Sequence, residues 1–156
     1  MGRAFSEIVT AELRGAPGLY AVPGARLHAV QAGLGARPVV APGISAERTA
    51  ALAAGATEVA YGQFEVRGGT IEAQLTIEDE LTGKMTVLNP VSAPAADIVT
   101  AASALARQIS THVTPYGARN PLVIEAHVNA LEHLDGPGVG DNLEKAIAAD
   151  PDFAPN

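Results

Sequence analysis

Residues 62–85 read GQFEVRGGTIEAQLTIEDELTGKM, and their pattern decides the fold of this chain. Between Ile71 and Glu78 apolar and polar side chains alternate, as in a strand with one face on a core and the other in water. The glycine pair at 68–69 favours a two-residue hairpin turn, because glycine readily adopts the positive φ angles of such a turn. Gly83 indicates a second turn, before a third strand over residues 85–89. The stretch therefore predicts an antiparallel meander of three strands.

The segments on either side of the meander have helical periodicity. A first helix that ends before Gly15 carries Phe5, Ile8, Val9 and Leu13 on one face, and a long helix after the meander carries Ile98, Ala102, Leu105, Ile109 and Val113. The other predicted elements are a short strand over 19–24, helices over 25–35 and 46–56, a strand over 57–66, and helices over 122–134 and 139–150. This order predicts an α+β or mixed α/β fold, in which the antiparallel meander belongs to a mixed sheet covered by helices and a C-terminal helical hairpin follows.

The composition argues against several classes of protein. The formal net charge is −7 and the arginines are scattered, so no basic stripe is available to follow a phosphate backbone, and we expect no nucleic-acid partner. Cysteine is absent, which excludes disulfides, thiolate metal sites and cysteine nucleophiles. No apolar run approaches the length of about 20 residues that spans a bilayer, so we expect no direct membrane insertion by this segment.

Candidate chemical groups each have a simpler structural explanation. The carboxylates Glu78, Asp79 and Glu80 form no spaced ligand set of the calcium-loop kind, and a solvated turn explains them. His127 and His133 are six residues apart, which is not the i, i+4 spacing of a helical metal pair. Residues 136–142, GPGVGDN, lack the Lys-Ser/Thr pair of a phosphate loop, and Ser45 is best explained as a helix cap. We therefore expect no catalytic residue, no metal and no cofactor.

The polar face of the hairpin is the candidate interaction surface. It carries Glu65, Glu72, Gln74, Thr76 and Glu78. A solvated sheet face has the same composition, so the pattern alone leaves both interpretations open.

Three stretches together resemble the TolB-like amino-terminal domain, a module found beside tetratricopeptide (TPR) arrays and related in fold to CsgG- and FlgO-type envelope proteins. They are GRAFSEIVTAELRGAPGLYAVPG at 2–24, ISAERTAALAAGATEVAYGQFEVRGGTIEAQLTIEDELTGK at 44–84 and DIVTAASALARQIS at 97–110. The resemblance implies a domain over residues 1–114 and brings no catalytic signature. It also implies a hydrophobic strand before the first helix, where this chain opens inside the helix. A sheet edge left exposed in this way could pair with another copy of the chain, as a homodimer.

The tail EAHVNALEHLDGPGVGDNLEKAIAADPDFAPN, residues 125–156, resembles one TPR repeat, a helix pair that ends in Ala-x-x-x-Asp-Pro. Ala146 and Pro151 have the spacing of that motif, whereas His127 stands where the motif has glycine. The implied organisation is a linker over 115–120 and a truncated helical hairpin over 121–156. Since solenoid repeats bury their faces against neighbours, further repeats are expected in the natural protein.

The resemblance implies a non-catalytic interaction or scaffold module of a bacterial TPR protein, acting in envelope assembly or signal input and favouring a periplasmic or envelope location. Two alternatives stay open. One is a CsgG-like oligomeric secretion component, and the other is a small-ligand sensor with a cleft near Tyr61, Gln63 and Tyr116. A hydrolase or transferase is the remaining class.

Overall fold

The computed structural model describes residues 2–33, 46–117, 120–132 and 139–151. Its elements, in chain order, are α1 (Gly2–Leu13), α2 (Gly24–Gly33), α3 (Ala46–Ala53), β1 (Glu58–Arg67), β2 (Thr70–Asp79), β3 (Met85–Val87), β4 (Val91–Pro94), α4 (Ile98–Ile109), α5 (Pro121–Glu132) and α6 (Val139–Ala149). Helices and an antiparallel sheet occur together, so the predicted α+β class with an antiparallel meander is confirmed. Within the described ranges, no helix combines the length and the apolar character that crossing a bilayer requires.

β2 is the central strand of the sheet. It pairs antiparallel with β1 along its whole length, from Glu58 opposite Asp79 to Arg67 opposite Thr70. The turn between them has positive φ angles at Gly68 (56°) and Gly69 (79°), which confirms the predicted primed turn. Because the register is continuous, apolar positions of β2 share one face with the even-numbered residues of β1.

The third strand is longer than the sequence predicted. β3 and β4 pair with opposite ends of β2, so together they form one broken strand along that edge. At the break, the side chain of Gln108 accepts from the N–H of Asn89 and donates to its carbonyl oxygen. Pro90 and Pro94 are compatible with this broken strand, because proline is tolerated at the edge of a sheet, where its missing N–H interrupts little.

The core lies between the apolar face of β2 and two helices. Ile71, Ala73 and Leu75 pack against the apolar faces of α1 and α4, in one cluster with the following buried residues: Phe5, Ile8, Val9, Leu13, Ile98, Ala102 and Leu105. The predicted stripe of α1 is thus confirmed, and Ile98, Ala102 and Leu105 of the predicted α4 stripe are buried as well. Ile109 is half-buried at the end of α4, and Val113 lies beyond the helix. Asp97 caps α4 by accepting from the Thr100 N–H at 3.1 Å, as the sequence indicated.

Residues 19–24 were predicted to be a short strand, and that prediction is wrong. Residues 19–23 form neither helix nor strand, Gly24 begins α2, and all strand pairs of the described sheet are antiparallel. The mixed sheet that was expected is therefore absent from the described part of the chain. Apolar residues alone do not make a strand, because the backbone N–H and C=O groups also need a neighbouring strand to pair with.

The helical hairpin α5–α6 packs on α1 through α5. Val123, Ala126 and Ala146 form its small core, and Tyr116 and Ile124 contact both this core and the larger one. The predicted linker is therefore not a free spacer in its described part. Tyr116 connects the two groups of buried residues.

Candidate binding site

β1 has a free edge. β2 occupies one side of it, and no described strand pairs with the other side. In a two-residue hairpin the closing pair, here Arg67 and Thr70, exchanges hydrogen bonds, and alternate pairs along the ladder do the same. By this alternation, the backbone N–H and C=O groups of Ala60, Gly62 and Phe64 point away from β2. They are available to pair with another extended chain.

A groove of about 520 Å³ follows this edge. α1 contributes Phe5, Val9 and Leu13, segment 19–22 contributes apolar residues, and α3 contributes Ala51 and Ala54. On the sheet side the lining includes Ala60, Gly62 and Phe64, the residues whose backbone groups point outward. No backbone hydrogen bond joins segment 19–22 to β1 among the described residues, so the groove lies between the two.

The apolar side chains at this edge are incompletely covered. Phe64 is 41% exposed and Val66 is 47% exposed, although both lie on the core face of the sheet. Their partners across the hairpin, Ala73 and Ile71, are 3% and 0% exposed. The contrast shows that the core covers β2 and stops short of β1. Exposed apolar surface beside a free strand edge is typical of an interaction site.

The predicted polar surface lies on the opposite face of the hairpin, where the register places its five residues together. Glu65 and Glu72 are exposed and directly opposite one another, and Gln74 and Thr76 are half-buried. The Gln74 side chain donates to the carbonyl oxygen of Leu88 at 2.9 Å. Glu78 is only 7% exposed, so it is not part of an open surface.

Glu78 and Glu80 are held by Arg48 of α3. The Arg48 guanidinium donates to both oxygens of Glu80 and lies 3.5 Å from Glu78, while the Tyr61 hydroxyl donates to Glu78 at 3.0 Å. The two carboxylate side chains are only 9% and 5% exposed, so the interpretation as a solvated turn is wrong for both. Asp79 does form a turn, and the pKa of its carboxyl is lowered by hydrogen bonds, first from the Thr82 backbone N–H. The ion pair fixes α3 against the end of the sheet.

The most buried carboxylate in the described residues was not singled out by the sequence. Glu12 is 1% exposed, and its Oε1 accepts from the Ser103 hydroxyl at 2.5 Å and from the Tyr116 N–H at 3.0 Å. The Tyr116 hydroxyl in turn lies 2.5 Å from Nδ1 of His127, with the two rings within 1° of parallel. Burial raises the pKa of Tyr116 and lowers that of His127. The network joins α1, α4 and α5, and it gives His127 a structural role.

The remaining candidates do not gather into a site. Tyr61 and Gln63 lie on the polar face of the sheet, whereas Tyr116 lies on the core side, so the expected cleft near all three is not formed. Within the described residues, no three His, Asp or Glu side chains come together as a metal ion would require. Ser45, His133 and residues 136–138 lie outside the described residues.

What the sequence did not reveal is the groove itself. Its lining comes from α1, α3, segment 19–22 and β1, which are far apart in the chain, and no local motif marks it. Comparisons with protein-family models, with curated proteins and with solved structures found no match to this chain.

Proposed function

We propose that this chain is a non-catalytic module that binds other proteins, and that it binds them through the free edge of β1. The observation that supports this is the long edge strand β1, whose outer side pairs with no described strand and lies beside an apolar groove, with Phe64 and Val66 exposed on it. Edge strands that are left open this way bind extended segments of other proteins by main-chain pairing. The TolB-like and TPR resemblance is the basis for assigning the module to a bacterial envelope-assembly or signal-input protein.

Site-specific crosslinking in the protein's own cells tests this function. A photo-reactive amino acid replaces Phe64 at the groove, or Thr82 in the exposed turn beyond the sheet as the matched control. We expect the same proteins to be captured reproducibly from position 64 and not from position 82. Capture from neither position, or equal capture from both, would overturn the proposal.

A small-ligand sensor is the second candidate, and the size of the groove favours it. About 520 Å³ lies within the range of roughly 300–1,000 Å³ that is typical of small-molecule sites. A thermal-shift screen of apolar and amphipathic compounds would show a hit that is lost when Val9 in the groove is replaced by a bulky residue. A screen without any stabilising compound argues against a sensor.

Self-association, as a homodimer or as a CsgG-like ring, would use the same edge. Sedimentation at several concentrations decides this, because a monomer at all concentrations excludes both assemblies. A stable dimer or ring that the Ala60→Pro substitution dissolves would support them, since proline removes an outward N–H at the edge.

A further inference from the structure

We propose that the groove takes one extended peptide segment of a partner protein, added to the sheet as a strand beside β1. The segment is apolar on the face that meets the groove and carries a basic residue at the end that meets Glu58. This inference rests on the proposed function and specifies its partner.

The backbone of β1 provides the first argument. Ala60, Gly62 and Phe64 direct their N–H and C=O groups away from β2, and the same residues line the groove; a strand is the structure whose own backbone groups match this spacing. The groove follows β1 from residue 58 to residue 64. At roughly 3.3 Å per residue, a segment of about seven residues would pair along it.

The second argument concerns the face of the added strand that meets the groove. On one side the groove is lined by Phe5, Val9 and Leu13, which belong to the core cluster under the apolar face of β2. Leu75 and Ile77 on that same face of β2 also line it. A strand that buries one face against such residues carries apolar side chains on that face.

Charge provides the third argument. Among the described residues that line the groove, Glu58 is the charged one. It stands at the first position of β1, in a protein whose net charge is −7. A basic residue at that end of the partner segment meets a carboxylate, whereas an acidic residue is repelled.

The far side of the groove argues for an isolated segment rather than a second copy of the chain. Segment 19–22 lines the groove as β1 does. A folded sheet brings further strands behind its edge strand and needs space beyond segment 19–22 as well, whereas a single extended chain needs only the groove.

Synthetic peptides test the inference with the intact chain. The probe is a fluorescent seven-residue peptide of valine and isoleucine with a lysine at each end. In the first control peptide, alternate amides are N-methylated. In the second, glutamate replaces the lysine at each end. N-methylation keeps the apolar side chains but removes the donors for strand pairing, so we expect at least about a tenfold loss of affinity. Glutamate ends should weaken binding several-fold, an effect that salt reduces.

Two proline variants provide the matched protein controls. Ala60→Pro removes an outward N–H on the edge of β1 that borders the groove, and Ser92→Pro removes an outward N–H of β4 at the opposite edge of the sheet. We expect at least about a tenfold loss of affinity for Ala60→Pro and less than about a twofold change for Ser92→Pro. In the wild-type protein, the peptide should slow hydrogen exchange of the Ala60, Gly62 and Phe64 amides and leave the Ser92 amide unchanged.

The outcomes separate the inference from the function on which it rests. Peptide binding that survives N-methylation and Ala60→Pro overturns strand addition and indicates an apolar ligand pocket. Slow exchange at Ala60, Gly62 and Phe64 before any peptide is added also overturns it, because the edge is then already paired. If position 64 crosslinks proteins but no peptide binds, the proposed function stands and the strand inference fails. If the peptide binds as expected but no protein is crosslinked, the proposed function is wrong, whereas the inference that the groove binds an extended strand stands.

Discussion

Removing the buried carboxylate of Glu12 should destabilise the whole fold. Glu12→Ala deletes the acceptor of the Ser103 hydroxyl and of the Tyr116 N–H, and both lie at the junction of α1, α4 and the segment before α5. Each hydrogen bond contributes about 1–2 kcal/mol, and the two donors left without an acceptor add a desolvation cost, so we expect a loss of about 3–4 kcal/mol. That is a large part of the roughly 5–15 kcal/mol by which a typical domain is stable.

Urea denaturation followed by circular dichroism measures this loss. Glu12→Gln keeps an amide oxygen for both donors and should cost less than about 1 kcal/mol, and Glu72→Ala on the exposed sheet face should change stability by less than about 0.5 kcal/mol. In a double-mutant cycle, Glu12→Ala and Ser103→Ala should couple by about 1 kcal/mol, because they remove the same hydrogen bond. A loss below about 1 kcal/mol for Glu12→Ala, or equal losses for the alanine and glutamine variants, would refute this account.

Three further perturbations follow from the structure. Burial lowers the pKa of His127 from its usual value of 6.5, so below that pH the unfolded chain binds more protons than the folded chain. The free energy of unfolding should therefore decrease as the pH drops below 6.5. In urea titrations at pH 5 and pH 8, His127→Gln should reduce this pH dependence. Gly69→Ala forces a side chain into a φ of 79° and should cost about 1 kcal/mol, whereas Gly33→Ala at the end of α2 should be neutral or slightly stabilising, as thermal melts would show. Arg48→Ala leaves two nearly buried carboxylates without their cation. Its melting temperature should fall further below the wild-type value than that of Arg67→Ala, because the ion pair of Arg67 is largely exposed. Equal decreases in the two variants would contradict this.

Local pattern was sufficient for the elements that repeat with a fixed period. The alternation from Ile71 to Glu78 determined which face of β2 is buried, because side chains alternate along any strand. The two glycines at 68–69 determined the turn and, through it, the register of the hairpin. The helical spacing in α1 and α4 identified their buried faces in the same way. None of these needed knowledge of a distant residue.

Local sequence pattern did not predict the structure correctly where an element depends on pairing with another segment of the chain. Residues 19–22 have the composition of a strand but find no described strand to pair with, and β4 forms despite its proline because β2 offers an unpaired edge. Backbone pairing is a property of two segments, so neither result is encoded in one of them. The predicted apolar stripe of the helix after the meander ran to Val113, whereas the helix ends at Ile109 and Ser110 is already extended.

By itself, the sequence determined the class of fold, the hairpin and the apolar faces that form the core, since each follows from spacing along one segment. The tertiary structure alone decided that Glu12 is buried, that Arg48 holds Glu78 and Glu80, and that no described strand pairs with the outer edge of β1 beside the groove. Glu12 meets partners 91 and 104 residues away, and Arg48 meets Glu80 at a distance of 32 residues. The local sequence of a charged side chain or of a strand is the same whether it faces water or a partner. Only the packing of distant segments decides which of the two it faces.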